Sequence, residues 1–154
     1  MRIEHLAEHV TAIPTLALWV QTEWGHLLPD ATFETLAAQF EQRTTHHVIP
    51  ETFVAVENDK VVGMASIVAN DMSTRKELSP WLAAVYVDSG FRGRGIGSKL
   101  VLAVMQEAET LDVERIYLIT PDRMSFYSRL GWKVLENTEY RGENVAIMWY
   151  DVKR

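Results

Sequence analysis

The stretch Arg92-Gly93-Arg94-Gly95-Ile96-Gly97-Ser98 lies between an apolar run, Trp81 to Val87, and a segment with helical periodicity. Three glycines at alternate positions let the main chain adopt unusual dihedral angles and approach a ligand closely. Main-chain N–H groups at the start of a helix bind phosphate oxygens well, and the two arginines add positive charge. The stretch therefore predicts a pyrophosphate-binding turn that joins a buried strand to a helix.

Two other phosphate motifs do not fit the same residues. A dinucleotide fingerprint, GxGxxG, would need glycine at position 98 or 100, where the chain has Ser98 and Leu100. A Walker A loop needs the sequence GK[ST], which occurs nowhere in the chain. The pattern that remains is [RQ]xxGx[GA], which Arg92 to Gly97 match.

The rest of the chain reads as strands and helices of a single α/β domain covering residues 1–154. The predicted strands are Thr52 to Val56, Val61 to Val68, Trp81 to Val87, Arg115 to Thr120, Trp132 to Leu135 and Val145 to Tyr150. The predicted helices are about residues 11 to 25, Phe33 to Phe40, Ile96 to Leu111, and a short helix between Asp122 and Gly131. Asp30 or Thr32 is the predicted cap of the second helix. Asp122 is the predicted cap of the short helix, which ends at Gly131.

Composition narrows the class of protein. The chain has no cysteine, which excludes disulfides, a thiol nucleophile and thiolate metal sites. Its net charge of -6 has the wrong sign for a nonspecific nucleic-acid binder. No run of eighteen apolar residues and no signal peptide is present, so we expect a soluble cytoplasmic protein that binds neither nucleic acid nor membrane.

A second motif, Phe126-Tyr127-Ser128-Arg129-Leu130-Gly131-Trp132, follows the glycine-rich turn. With the segment Arg92 to Gly97 it gives the sequence a resemblance to the GCN5-related N-acetyltransferase (GNAT) superfamily. That family combines a strand, the segment [RQ]xxGx[GA], a helix and, later, an FYxxLGF-like element. The resemblance covers about residues 52 to 150.

The resemblance implies a fold, a co-substrate and a set of contacts. The expected fold is α/β (α+β), with a mixed, mostly antiparallel sheet of about six to seven strands flanked by helices. Two central strands would splay apart to admit the pantetheine arm of acetyl-coenzyme A. By the same analogy, the main chain of Val85, Tyr86 and Val87 would bind near the thioester, and the pyrophosphate would be held by Arg92, Gly93, Arg94, Gly95, Ile96, Gly97 and Ser98.

Tyr127 matches the family's tyrosine that donates a proton to the departing thiolate of coenzyme A. A phenol with a pKa near 10 stays protonated at neutral pH and is suited to this role; alternatively, Tyr127 only packs in the core. Many relatives have asparagine and alanine seven and four residues before that tyrosine. This chain has Thr120 and Arg123 there, so contacts from Thr120 to Arg123 to the cofactor stay undecided.

The acceptor in such a reaction is an amine, which must be neutral to attack. Glu23 and Glu77 are candidates for the base that deprotonates it. Trp19, Trp24 and Trp81 either line an acceptor pocket, because aromatic faces attract ammonium groups, or only pack in the core. The acceptor itself, a small molecule or a peptide amine, is left open by the sequence.

Other functional interpretations also remain. The chain could use a longer acyl group or a hydroxyl acceptor, act as a non-catalytic regulatory domain that binds acyl-coenzyme A, or be a structural domain without a ligand. Homodimers are common among such relatives. The pair His46-His47 has no carboxylate or cysteine partner at ligand spacing in the sequence, so we expect no metal site.

Overall fold

The computed structural model describes residues 1–153, which build one seven-stranded sheet with helices on both faces. The strands are β1 (Arg2–His5), β2 (Glu51–Glu57), β3 (Lys60–Val68), β4 (Trp81–Val87), β5 (Arg115–Thr120), β6 (Lys133–Tyr140) and β7 (Glu143–Asp151). The helices are α1 (Ile13–Trp24), α2 (Phe33–Gln42), α3 (Ile96–Thr110) and α4 (Met124–Arg129). Short 3-10 turns occur at Leu6–Glu8, Val10–Ala12, Gly25–Leu27 and Ser89–Phe91.

The strand order in the sheet is β1-β2-β3-β4-β5-β7-β6. Every neighbouring pair is antiparallel except β4 and β5, which run parallel. The mixed, mostly antiparallel sheet expected from the sequence is therefore confirmed. Among the described helices, none has the length and apolar character needed to cross a bilayer.

Side chains that alternate along β2 divide the core into two layers. Phe53 and Ala55 pack with α3, whereas Val54 and Val56 pack with α1 and α2. Because helices cover both faces, β2 is buried from residue 51 to residue 56 and shows no alternation of apolar and polar residues.

Helices α1 and α2 form one of the covering layers. In α1 the buried residues recur at helical spacing, and Pro14 lies in the first turn, where its missing N–H costs nothing. In α2 the cap is Thr32 and not Asp30. The Thr32 side chain accepts a hydrogen bond from the Thr35 N–H at 3.1 Å, and the Thr35 hydroxyl oxygen accepts one from the Thr32 N–H at 2.9 Å.

Two deviations from the predicted elements lie at the edges of the sheet. Strand β1 was not predicted, and β6 continues to Tyr140, beyond the predicted end at Leu135. Each strand has a neighbour on one side only, and β6 is mostly exposed. Edge strands of this kind carry polar residues on both faces, so they show too little apolar patterning to be recognised.

The predicted cap of the last short helix was wrong. Asp122 lies outside α4, the N-cap position belongs to Arg123, and no side chain caps the helix at that position. The turn before α4 is instead held by Thr120, whose hydroxyl oxygen accepts a hydrogen bond from the Arg123 N–H at 2.9 Å.

Candidate functional site

A cleft separates β4 from β5 in the middle of the sheet. The two strands are joined at their start, where Trp81 pairs with Tyr117 and the Tyr117 N–H donates to the Pro80 carbonyl at 3.1 Å. Within residues 1–153 no further ladder pair connects them. The main chain of β4 from Val85 to Val87 therefore has no strand partner on the cleft side, and the Val87 carbonyl is bound by the Arg92 side chain.

A β-bulge interrupts the other side of β4. Its pairing with β3 changes register between Ser66↔Ala83 and Met64↔Tyr86, so that Ala84 and Val85 together lie opposite one residue of β3. Ala84 has a φ of 55°, in the left-handed region that residues with a side chain rarely adopt. The bulge changes the direction of the main chain just before Val85. Its extra residue leaves a backbone group without a partner in the pairing of β3 with β4.

The glycine-rich turn forms a cradle at the start of α3, as the sequence predicts. Gly95 is the N-cap residue with a φ of 79°, and Gly93 has a φ of 77°. No side chain caps the helix there. The first main-chain hydrogen bond of the helix runs from the Lys99 N–H to the Gly95 carbonyl. The N–H groups of Ile96, Gly97 and Ser98 therefore have no partner within the helix. These N–H groups can hold an anion.

The two arginines of the motif differ in their surroundings. The Arg92 Nε donates to the Val87 carbonyl at 2.9 Å, and its guanidinium lies 5.2 Å from the centre of the Tyr86 ring, so Arg92 ties the turn to the end of β4. Arg94 is 57% exposed, and its only ion pair within the described chain is a loose one of 3.9 Å to Glu57. Its guanidinium is therefore available to a phosphate.

The side chains of Ile96 and Ser98 have unequal roles. Ile96 is buried in the core with Leu100 and Val101, so only its main chain can contact a ligand. Ser98 is half-buried in the first turn of α3. The structure thus brings together all seven residues of the predicted cradle, chiefly through their main-chain groups.

Gly97 is the point where the two sequence motifs meet. A Cβ added to Gly97 would lie 3.7 Å from the Phe126 Cζ and 3.8 Å from the Val87 Cγ2. Helix α4 therefore packs beside both the end of β4 and the start of α3, although their residues are about 30 positions apart in the sequence.

Tyr127, the predicted proton donor, lies on α4 next to this point. Its side chain is 8% exposed and makes edge contacts with the rings of Phe126 at 5.0 Å and Trp132 at 6.2 Å. Burial raises the pKa of Tyr127 to about 12, so the phenol keeps its proton over the whole neutral and mildly alkaline range. The same burial makes the phenol a weaker acid, so the role of Tyr127 as proton donor stays a prediction.

The two candidate bases have different environments. Glu77 is exposed and its carboxylate accepts a hydrogen bond from the Arg75 Nε at 2.7 Å, which lowers the pKa of Glu77 and weakens it as a base. Glu23 is exposed on α1, next to Trp24. Both residues stay predictions for the base.

Aromatic side chains line the α1 side of β4. The Trp19 ring lies 5.0 Å from the Tyr86 ring, and the Trp24 ring contacts it edge-on at 6.3 Å. Trp19 and Trp24 are half-buried, whereas Trp81 is fully buried and packs with Met72 and Ile147. Trp81 therefore belongs to the core, and the other two tryptophans border β4 where the cleft opens.

The turn between β6 and β7 is a part of this region that the sequence did not indicate. Thr120, the last residue of β5, pairs with Ala146, so the turn lies beyond the C-terminal end of β5. The Arg141 Nη1 donates to the Leu27 carbonyl at 2.8 Å, and the Tyr140 hydroxyl accepts from the Ser73 N–H at 3.2 Å. A hairpin turn forms these contacts with loops distant in sequence, so no local pattern reveals them.

Comparisons with known proteins agree with this geometry. A family model described as the acetyltransferase (GNAT) family matches residues 13–132. N-alpha-acetyltransferase 30 of Schizosaccharomyces pombe is 34% identical over 91 residues, which cover 56% of this chain and 60% of that protein. The spermine/spermidine N(1)-acetyltransferase of Bacillus subtilis is 29% identical over 72 residues, which cover 44% and 47%.

The chain thus spans about half to three-fifths of the length of these two relatives. Among solved structures, an aminoglycoside 6'-N-acetyltransferase complexed with coenzyme A superposes with a TM-score of 0.75 at 17% identity, over 100% of this chain and 98% of that one. At this identity the likeness concerns the fold.

Proposed function

Because the chain belongs to the acetyltransferase (GNAT) family, we propose that it is an enzyme that transfers an acetyl group from acetyl-coenzyme A directly to an acceptor amine. The observation that carries the proposal is the cleft between β4 and β5, which leads from the bulge at Ala84 to the uncapped N-terminus of α3. A ligand with an extended arm and a pyrophosphate fits such a path.

The proposed binding mode uses main-chain groups almost throughout. The N–H groups of the cradle, Gly93 to Ser98, would hold the pyrophosphate, with Arg94 adding charge. The main-chain groups of Val85 to Val87 that have no strand partner would pair with the amide groups of the pantetheine arm as a neighbouring strand does. No metal and no covalent bond to the enzyme is needed.

The chemistry follows from where charge develops. A neutral amine attacks the thioester carbonyl, a C–N bond forms, the C–S bond breaks, and the amine nitrogen gives one proton to solvent. Main-chain N–H groups freed by the bulge at Ala84 and Val85 would stabilise negative charge on the carbonyl oxygen. Tyr127 would donate its proton to the departing sulfur, and solvent would restore it.

The acceptor is proposed only as a class. A primary amine of a small molecule or a peptide is consistent with the relatives, whose names refer to N-alpha-acetylation and to spermine and spermidine. The half-buried rings of Trp19 and Trp24, beside Tyr86, would offer aromatic surface to an ammonium group before it loses its proton. The cytoplasmic location and the homodimer expected from the sequence are also proposals.

Thermal unfolding with ligands tests the proposal without a known acceptor. A ligand bound only by the folded state raises its stability, by about 2.7 kcal/mol at 100 times its Kd. We expect acetyl-coenzyme A and coenzyme A to raise Tm, and NAD and ATP at the same concentration to leave it nearly unchanged. The absence of a shift with coenzyme A, confirmed by calorimetry, would contradict the proposal.

An amine screen then tests turnover. Release of the coenzyme A thiol is followed with a thiol reagent, which works without background because the chain has no cysteine. Polyamines, peptides with a free N-terminus and aminoglycosides form the first panel. Binding of coenzyme A without turnover of any acceptor would favour the alternative, a non-catalytic regulatory domain that binds acyl-coenzyme A.

A further inference from the structure

A cluster of one histidine and two glutamates lies away from the cleft, at the C-terminal part of α3. His47 comes from the loop between α2 and β2, Glu51 is the first residue of β2, and Glu107 is on α3. Glu107 is eleven residues beyond Ile96, so about 16 Å of helix separates the cluster from the cradle. No step of the proposed acetyl transfer uses these residues.

The fold directs both carboxylates into the interior. Glu51 is on the same face of β2 as Phe53, the face that packs against α3. The Glu51 side chain is fully buried and that of Glu107 is 4% exposed, whereas His47 is 57% exposed. Two buried glutamates are rare in proteins unless a cation or a hydrogen-bond donor balances each of them.

The three side chains lie within reach of one another. The His47 Nδ1 is 2.9 Å from both carboxylate oxygens of Glu107. Each of the three residues offers one atom that could bind a metal ion, and these three atoms lie within 4.8 Å of one another. The Glu51 Oε2 accepts from the His47 main-chain N–H at 3.2 Å and lies 2.8 Å from the His5 Nδ1. These last two bonds fix the orientation of the Glu51 carboxylate.

One oxygen of the cluster has no partner. The Glu51 Oε1 is buried and makes no hydrogen bond within the described part of the chain. No lysine or arginine forms an ion pair with Glu51 or Glu107 among residues 1–153. A buried carboxylate oxygen without a donor is costly, so in the absence of a metal ion Glu51 and Glu107 must share a proton to satisfy it.

From this arrangement we propose that His47, Glu51 and Glu107 bind a divalent transition-metal cation of the zinc type. An imidazole nitrogen with two carboxylates suits zinc better than magnesium or calcium, which prefer oxygen ligands alone. Zinc binds nitrogen and oxygen at about 2.0–2.2 Å, so neighbouring ligand atoms stand about 3.3 Å apart in a tetrahedral site. In the metal-free protein the chosen ligand atoms lie within 4.8 Å of one another, so binding would draw the most distant of them together by up to about 1.5 Å.

The site would be open to solvent on one side. A shallow recess of about 280 Å³ adjoins it, lined by His47, Glu107, His5, Gln106 and apolar side chains of β1, β2 and α3. A cation can enter through the recess, and water can supply the fourth ligand. The His5 imidazole would keep its hydrogen bond to the ligating Glu51, as partners of metal-binding carboxylates usually do.

Zinc titration of the full chain tests the site. The protein is treated with a chelator, dialysed and titrated with Zn²⁺ alone in a calorimeter. We expect one Zn²⁺ per chain, and binding at least about tenfold weaker in His47→Gln and in Glu107→Gln. His47→Gln is the cleaner variant, because His47 is largely exposed and its loss leaves the core intact.

His26→Gln is the matched control. His26 is likewise an exposed histidine near a carboxylate, 3.5 Å from Glu143, but lies elsewhere in the fold. Its affinity for Zn²⁺ should equal that of the unaltered chain, and circular dichroism should show that all variants fold. Co²⁺ in place of Zn²⁺ should give the visible absorption of a site with nitrogen and oxygen ligands.

Two results would overturn the proposal. The first is that the unaltered chain does not take up Zn²⁺ stoichiometrically. A proton shared by Glu51 and Glu107 would then replace the metal ion as the group that stabilises the two buried carboxylates. The other is uptake that survives unchanged in both His47→Gln and Glu107→Gln, which would place the metal elsewhere. Because the readout is metal binding, neither result depends on whether the chain is an acetyltransferase.

Discussion

Gly95 and Gly142 form a matched pair for testing the cradle. Both have a positive φ, 79° and 82°, and a Cβ added at either would meet nothing within 4 Å. A side chain in the left-handed region costs about 1–2 kcal/mol. Gly95→Ala and Gly142→Ala should therefore lower the stability of the ligand-free protein by similar amounts, which for a chain of this length is about 2–8 °C in Tm.

The two variants should differ once coenzyme A is added. Gly95 caps α3 where the ligand is proposed to approach the main chain, whereas Gly142 lies in the turn between β6 and β7. A methyl group at position 95 would crowd the pyrophosphate and tilt the first N–H groups of the helix. We expect Gly95→Ala to bind coenzyme A at least about tenfold more weakly, a loss of about 1.4 kcal/mol.

Calorimetry measures both affinities, and thermal unfolding gives the stability of each variant without ligand. Gly142→Ala should bind coenzyme A as the unaltered chain does. Equal affinity in the two variants would refute the assignment of the cradle, because the strain is the same and only the location differs. A loss of affinity confined to Gly95→Ala cannot come from reduced stability.

Three further predictions concern single side chains. Tyr127→Phe keeps the buried ring and removes only the hydroxyl, so affinity for coenzyme A should not change. Without the proton donor we expect kcat, measured by thiol release, to fall about 10- to 100-fold. An unaltered kcat would mean that Tyr127 only packs in the core. Trp19→Leu removes an aromatic face and should raise the KM of a cationic acceptor about 2- to 30-fold; a KM that stays the same would place the acceptor elsewhere. Burial, together with the neighbouring Glu107, raises the pKa of Glu51 to about 8, so the folded state keeps a proton that the unfolded chain releases near pH 4.5. In chelator-treated protein the free energy of unfolding should therefore fall by a few kcal/mol as the pH rises from about 5 to 8, and denaturant unfolding of Glu51→Gln should show a much flatter dependence.

The sequence predicted those parts of the fold whose signals are local. The cradle is a run of consecutive residues, and the helix after it has apolar residues at regular spacing, so both were recognised with the strand before them. Local patterns also located the second motif. What they could not show is that Phe126 packs against Gly97, which depends on how α4 folds back onto α3.

The cluster of His47, Glu51 and Glu107 illustrates the opposite case. The distance along the chain from His47 to Glu107 is 60 residues, and their contact exists only because β2 and α3 pack together. Glu51 lies one residue before the strand predicted from Thr52, yet it is the first residue of β2, which is covered on both faces. Sequence spacing alone therefore gave no reason to connect His47 with any carboxylate.

The acceptor region is difficult to predict for a related reason. In our proposal it is bordered by side chains of α1 and by the turn between β6 and β7, whose contacts with Leu27 and Ser73 connect loops distant in sequence. Loops vary in length and sequence more freely than the strands that support them, so no general pattern exists for their contacts.

The single ladder pair between β4 and β5 has a consequence for the mechanics of the molecule. Hydrogen bonds unite β1 to β4 as one half of the sheet and β5 to β7 as the other. Between the halves, Trp81 and Tyr117 are the only ladder pair among residues 1–153. A pantetheine arm in the gap would supply the bonds that the two strands do not make to each other, in effect as an eighth strand. The co-substrate would then be a structural part of the sheet while it is bound. After its departure the two halves would be held together by the core that α3 shares with both of them, and no longer by strand pairing along the gap.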